Sequence, residues 1–258
     1  GRAYGRLGFV RYEMGENEAC LQDYEASRAI FGRLTTDFPA VPTYRHGLAL
    51  GLGDLGFSRA LLGKRGEAEA AYRQAITIQE GLTAEFPAEP KYRKTLVNDL
   101  NNLGNLLDDL GKREEAETLY RRAVAIGEKL ADEHPTVPAY RLDLAGSHNN
   151  LGVLLKRLGQ RPAAEQAYRR ALDIREKLAA DFPTVPAYRQ ELAGSCVNFG
   201  RLLQDQGQAE ASLAWYAKAI ALLEPLVQQE PRLVTEREYL RNAHWGHAVA
   251  LDKLGWHG

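Results

Sequence analysis

The sequence predicts an all-α solenoid, a stack of antiparallel helix pairs in place of one globular core. Three observations predict it. Pro39, Pro87, Pro135, Pro183 and Pro231 each stand 48 residues after the last. A glycine column, Gly8, Gly56, Gly104, Gly152 and Gly200, keeps the same spacing, as does a tyrosine column at Tyr24, Tyr72, Tyr120, Tyr168 and Tyr216. Between these markers the apolar residues recur at three and four, the period of a helix with one buried stripe.

The parts of one repeat follow in chain order. Leu100, Leu103, Gly104, Leu107 and Leu110 mark the stripe of a first helix. Gly15, Gly63, Gly111, Gly159, Gly207 and Gly255 suit a helix C-terminus that needs a left-handed residue. Ala116, Tyr120, Ala123 and Ile126 mark the second helix, and its small columns let two helices approach. A loop follows, reading Asp37-Phe38-Pro39-Ala40-Val41-Pro42-Thr43-Tyr44-Arg45 in its first copy. Pro42, Pro90, Pro138 and Pro186 then open the next first helix, where proline costs no hydrogen bond. Each repeat therefore holds two helices of roughly 20 residues.

In the loop, Asp37, Glu85, Glu133 and Asp181 precede Arg45, Arg93, Arg141 and Arg189 by eight residues. The expectation is an ion pair across each Pro-x-x-Pro turn, with Tyr44, Tyr92, Tyr140 and Tyr188 beneath. The organisation expected is one array over residues 1–258, about five repeats plus a partial terminal helix, with phase breaks near 39, 87, 135, 183 and 231. The end copies are worn. Arg11 and Arg28 replace apolar residues in the first, and His247 and Ala248 stand where Leu and Gly recur in the last. Trp245 and Trp256 either cover the end of the core or meet a further helix. The chain opens Gly1-Arg2-Ala3-Tyr4, without Met or a signal-peptide pattern and inside a repeat, so it is expected to be a fragment of a longer protein.

Leu100-x-x-Leu103-Gly104-x-x-Leu107 followed by Ala116-x-x-x-Tyr120-x-x-Ala123 resembles the tetratricopeptide repeat (TPR) pattern. The period is longer than the usual 34 or so, and the proline that commonly follows the second helix is displaced, for instance by Glu128. The Asn101-Asn102-Leu103-Gly104 and Asn149-Asn150-Leu151-Gly152 runs resemble those of kinesin light chains, and the array also resembles TPR tails of some bacterial Ser/Thr protein kinases. The resemblance implies a right-handed superhelix whose first helices line a concave groove, and a protein or peptide as partner.

With the first-helix stripe buried, helical spacing puts Asn98, Asn102, Asn105 and Asp109 on the opposite face of the third repeat. The equivalents are Gly146, Asn150, Val153 and Arg157 in the fourth and Gly194, Asn198, Arg201 and Asp205 in the fifth. They are Leu50, Asp54, Phe57 and Leu61 in the second, and Arg2, Arg6, Phe9 and Glu13 in the first. An amide row can hydrogen-bond an extended peptide backbone without reading its side chains, because Asn both donates and accepts. The candidate peptide-binding residues are thus Asn98, Asn102, Asn105, Asn150, Asn198, Arg157 and Arg201, with Phe9 and Phe57 as apolar anchors. The competing reading has the amides bonded to each other or to the next helix. Capture of a C-terminal carboxylate, as in some TPR proteins, is not supported, since Gly194 and Asn198 stand where lysine and arginine would be needed.

Enzymatic readings fail one by one. Gly51-x-Gly53-x-x-Gly56 lies inside a predicted helix, whereas a nucleotide loop follows a strand and opens a helix. His244 and His247 share a helix face but lack a third metal ligand nearby. Cys196 falls in a core-like column and reads as an inert buried thiol. No kinase catalytic run is present. No catalytic residue, metal or cofactor is expected. A net charge of −1 from 33 basic and 34 acidic residues offers no field for nucleic acid or an anionic membrane. Only Cys20 and Cys196 could pair, and they lie far apart in the array, which fits a cytoplasmic, reducing location. Two functions remain: a peptide-binding scaffold, or a regulatory and self-associating segment of a larger bacterial signalling protein such as a Ser/Thr kinase.

Overall fold

A computed structural model describes residues 1–230, 232 and 234–256. Pro231, the marker of the fifth loop, lies outside the described residues. Among those described there are eleven helices and no strand, as the periodicity predicts. They form two compact units, Gly1–His134 and Pro135–Gly258. The first holds α1 (Arg2–Glu13), α2 (Asn17–Asp37), α3 (Pro42–Leu61), α4 (Arg65–Glu85), α5 (Pro90–Asp109) and α6 (Arg113–Glu133). The second holds α7 (Pro138–Arg157), α8 (Arg161–Asp181), α9 (Pro186–Asp205), α10 (Ala209–Gln229) and α11 (Val234–Lys253). Within each unit every helix packs on its successor, and first helices also touch first helices, α1 on α3 and α3 on α5 in one unit, α7 on α9 and α9 on α11 in the other.

Local chemistry sets the helix boundaries. After α5, Gly111 takes φ +77°. Its N–H reaches Asp108 O at 2.9 Å and that of Lys112 reaches Leu107 O at 2.8 Å, a Schellman closure of the last helical carbonyls. At the other end of each pair, Pro42, Pro90, Pro138 and Pro186 are the first residues of their helices.

The core is repetitive too. Leu100, Leu103 and Leu107 of α5 are buried, as are Ala116, Tyr120 and Ala123 of α6. The glycine column exists for the tyrosine column. A Cβ at Gly56 would lie 2.8 Å from the Tyr72 ring, one at Gly104 2.6 Å from Tyr120, and one at Gly152 2.9 Å from Tyr168. Each of these rings lies directly on its glycine.

The loop ion pairs differ from expectation. Arg45 binds Glu85 at 2.7 Å, Arg93 binds Glu133 at 2.6 Å, and Arg141 binds Asp181 at 3.2 Å. Each arginine thus takes the acid 40 residues later, not the one eight residues earlier. Helix pairs are antiparallel, so the start of a first helix lies beside the end of its own second helix. The turn instead closes on aromatic contacts, Phe38 with Tyr44 at 6.1 Å and Phe182 with Tyr188 at 5.7 Å between ring centroids. At the other end of the chain, Trp245 and Trp256 are both largely exposed.

Candidate functional site

Within each unit the candidate residues stand on the first helices of the pairs. In α5, Asn98, Asn105 and Asp109 are exposed and Asn102 is half-buried. On α3, Leu50 and Leu61 are exposed and Phe57 is half-buried, while Phe9 on α1 is 58% exposed. In the second unit Asn150 and Asn198 are half-buried, and Arg157 and Arg201 are exposed.

Two clefts lie along the first helices of the first unit. Between α3 and α5 a 280 Å³ cleft is lined by Phe57, Leu61, Tyr72, Asn102, Asn105 and Leu106, among others. It brings together three of the predicted residues. Phe57 is held edge-on against Tyr12, ring centroids 5.0 Å apart. Between α1 and α3 a larger cavity of 530 Å³ has Phe9, Val10 and Leu50 on its walls, with Phe31 and Ser27 contributed by α2. Arg2, Arg6, His46 and Asp54 supply its polar groups. Phe9 and Phe57 therefore belong to two different clefts.

The amides do not all have the same employment. Asn105 accepts a 2.6 Å bond from the hydroxyl of buried Tyr120, so its carbonyl supports the core. Asn198 donates to Asn149 Oδ1 at 3.1 Å, linking α9 to α7. Asn102 occupies the same repeat position as Asn198, but Gly53 stands where Asn149 would be. Gly53 is needed there, since a Cβ would lie 2.8 Å from Asp99 Oδ1. Asn102 is thus left with no side-chain bond among the described residues.

Sequence reasoning missed several groups here. Phe31 heads a column continued by Gln79, Gly127, Arg175 and Leu223, and its Phe31, Gln79 and Arg175 side chains reach first helices. Gln79 is buried and hydrogen-bonds His46 Nδ1, whose pKa is lowered by burial. Arg175 is buried, donates to Glu191 O at 3.0 Å and Ser195 Oγ at 2.5 Å, and pairs with the Glu191 carboxylate at 2.5 Å. Asp99 is 4% exposed with Oδ2 unpartnered, and burial pushes its pKa up to about 8, with Asp54 adding to the rise. The signal for these was a column breaking its own pattern, as Asp99 does among Gly51, Ser147 and Ser195.

The sites weighed for chemistry have structural explanations. The Gly51-to-Gly56 run lies within α3, and Gly56 seats the Tyr72 ring. Burial raises the Cys196 thiol to about 12, far from a thiolate at neutral pH. Among the described residues, no helix is long and apolar enough to cross a membrane.

The family model of the tetratricopeptide repeat matches residues 97–177, and a second tetratricopeptide model matches 192–226. Among solved structures, the chain is similar to BtubC (BKLC) from P. vanneervenii, at 20% identity and a TM-score of 0.69, over 93% of this chain and 85% of that one. It is also similar to a putative kinesin light chain with nearly identical TPR-like repeats from Podosopora anserina, at 19% identity and a TM-score of 0.60, over 89% of this chain and 96% of that one. The apo form of RapI aligns at 13% identity with a TM-score of 0.61, over 98% of each chain. These likenesses concern the fold. No curated protein matches the sequence. Repeats of this kind generally mediate protein–protein interactions and are typically non-enzymatic scaffolds. The coincident glycine, alanine and tyrosine columns, the paired helices and both family matches lead to one assignment: the chain carries tetratricopeptide repeats, matched over residues 97–177 and 192–226.

Proposed function

We propose that this chain is an interaction scaffold that binds an extended peptide, or one face of a partner helix, along its first helices. One observation carries the reading: Asn102 stands in the α3–α5 cleft beside Phe57 and Leu106 with its amide unspent. A half-buried primary amide with no internal partner offers a donor and an acceptor to a passing backbone. The apolar walls give neighbouring side chains of the peptide a place to bury. Asn98 is exposed on α5 and serves as a flanking polar contact, and Arg157 and Arg201, exposed on α7 and α9, would do the same within the second unit. Asn105 and Asn198 are secondary, because each already makes an internal bond.

The test is capture on a peptide array by the wild-type chain and by an Asn102→Ala/Asn150→Ala/Asn198→Ala variant of equal helicity. Selective loss of captured peptides is expected, and Asn102→Ala alone should account for most of it. Equal capture by both proteins overturns the reading.

A further inference from the structure

Asp54 repeats the situation of Asn102 one repeat earlier, with a charge. It shares the repeat position of Asn198, and the place of the accepting Asn149 is taken by Gly5. A Cβ on Gly5 would still be 4.0 Å from Asp54 Oδ2, so nothing on α1 reaches it from there. Among the described residues Asp54 has no hydrogen bond and no ion pair. It lines the 530 Å³ cavity between α1 and α3, whose other walls are mostly apolar. Burial raises its pKa to about 6, and no cation lies close enough to offset that rise. Asp99, buried on α5 and outside the cavity lining, feels the Asp54 charge, which raises the pKa of Asp99 further. Arg2 and Arg6 also line the cavity, but both are exposed, where solvent and salt screen their charges. The desolvated carboxyl is the stronger determinant inside the cavity.

We propose that this cavity takes a lysine side chain from the docked segment, with the ammonium on Asp54 and the methylenes along Phe9, Phe31 and Leu50. The inference rests on the peptide-binding reading and adds the chemistry of one partner residue. A lysine suits the site because its long apolar stem lies against the walls while its compact ammonium gains a poorly solvated anion. An acid in its place would face Asp54 and be repelled. A purely apolar side chain would leave the carboxyl without a partner.

The first probe is n-pentylammonium, which carries a lysine side chain from Cα outward, titrated at pH 8 and followed by NMR shifts in α1 and α3. Binding should be saturable, about tenfold or more tighter than for n-pentanol or pentanoate, and lost in Asp54→Asn. If Asp54→Asn does not fold, the chain carrying His46→Gln decides, because affinity should still fall as pH drops from 8 to 5 and Asp54 protonates, with the cavity's histidine no longer able to add a charge. No binding, binding unchanged by Asp54→Asn or by pH, or preference for pentanoate overturns the proposal. The second probe is the set of array-captured peptides, each remade with Lys→Gln. Weaker capture of the Gln forms supports the proposal. Equal capture, or Asp54-dependent binding of pentylammonium with no peptide captured at all, overturns the lysine side chain as occupant. The first of those results leaves the peptide-binding reading standing; the second removes it too.

Discussion

The ring of Tyr120 rests on Gly104 so closely that a Cβ there would lie 2.6 Å from the ring carbon Cε1. The same ring donates its hydroxyl to Asn105 at 2.6 Å. One side chain thus couples the core of a helix pair to the face on which the candidate ligand residues stand. Overpacking this contact should reach both.

Gly104→Ala is accordingly expected to destabilise the chain by up to about 2 kcal/mol. Overpacking costs about 1–3 kcal/mol, partly offset by the roughly 1 kcal/mol that alanine gains over glycine inside a helix. Gly81→Ala is the control, since a Cβ at that exposed α4 position meets nothing within 4 Å. It should stabilise by about 0.4–1 kcal/mol. Urea midpoints of the two variants shifting in the same direction would remove the ring contact as the reason for the glycine column.

Arg189 lacks the acid that Arg45, Arg93 and Arg141 each find 40 residues on, because Gln229 occupies that place. In those three arginines a terminal nitrogen makes the pair, while Nε is buried without a hydrogen-bond partner in all four. Gln229→Glu should supply the missing pair between α9 and α10 and stabilise by about 0.2–1 kcal/mol, the range of a partly exposed ion pair. The gain should shrink in 1 M salt. A thermal midpoint that does not rise at low salt would show that the 40-residue register does not extend to this helix pair.

That register also shows where sequence reading ran out. In a 48-residue repeat, each loop acid from Glu85 onward has one arginine eight residues ahead and another 40 residues behind. The spacing fits both pairings equally, and only the antiparallel closure of α3 on α4 selects the second. Helices, turns and buried columns were legible because each is a local pattern repeated several times. The face carrying Asn98, Asn102, Asn105 and Phe57 was legible for the same reason. Which amides are already employed was not, because that depends on what stands opposite in the neighbouring repeat: Asn149 for Asn198, Gly53 for Asn102. The cavity floor at Phe31 was hidden because its column changes character from one repeat to the next.

Arg175 is a buried cation held by one charged partner. Its side chain is 7% exposed and that of Glu191 42%, and burial lowers the arginine pKa. Removing the partner should cost more than removing the charge. Glu191→Gln leaves a buried guanidinium without its counter-charge and is expected to destabilise by about 1–3 kcal/mol. Arg175→Met removes the desolvation penalty as well as the pair, and should stay within about 1 kcal/mol of wild type. Guanidinium chloride melts of both variants check the order, and Arg175→Met being the more damaging would mean the pair is a net stabiliser.

Asp99 should give the chain a characteristic pH dependence. Its carboxyl is buried on α5 with Oδ2 unpartnered, and its folded-state pKa is raised to about 8 from an ordinary value of 3.8. A raised carboxyl pKa means that the folded state holds the proton more tightly than the unfolded state. Stability from this group is therefore fully present below about pH 4 and is lost progressively as pH rises toward 8. Raising a pKa by one is equivalent to about 1.4 kcal/mol, so the loss is on the order of a few kcal/mol. Asp99→Asn keeps the shape and removes the titration. Its stability relative to wild type should climb between pH 5 and pH 9 and level off above that. Measuring urea midpoints of both proteins at pH 5, 7 and 9 isolates the group, because other titrations cancel in the difference. A constant difference across that range would mean that Asp99 is already ionised at pH 5, its charge met by a cation or hydrogen-bond donor strong enough to outweigh burial and the repulsion of Asp54.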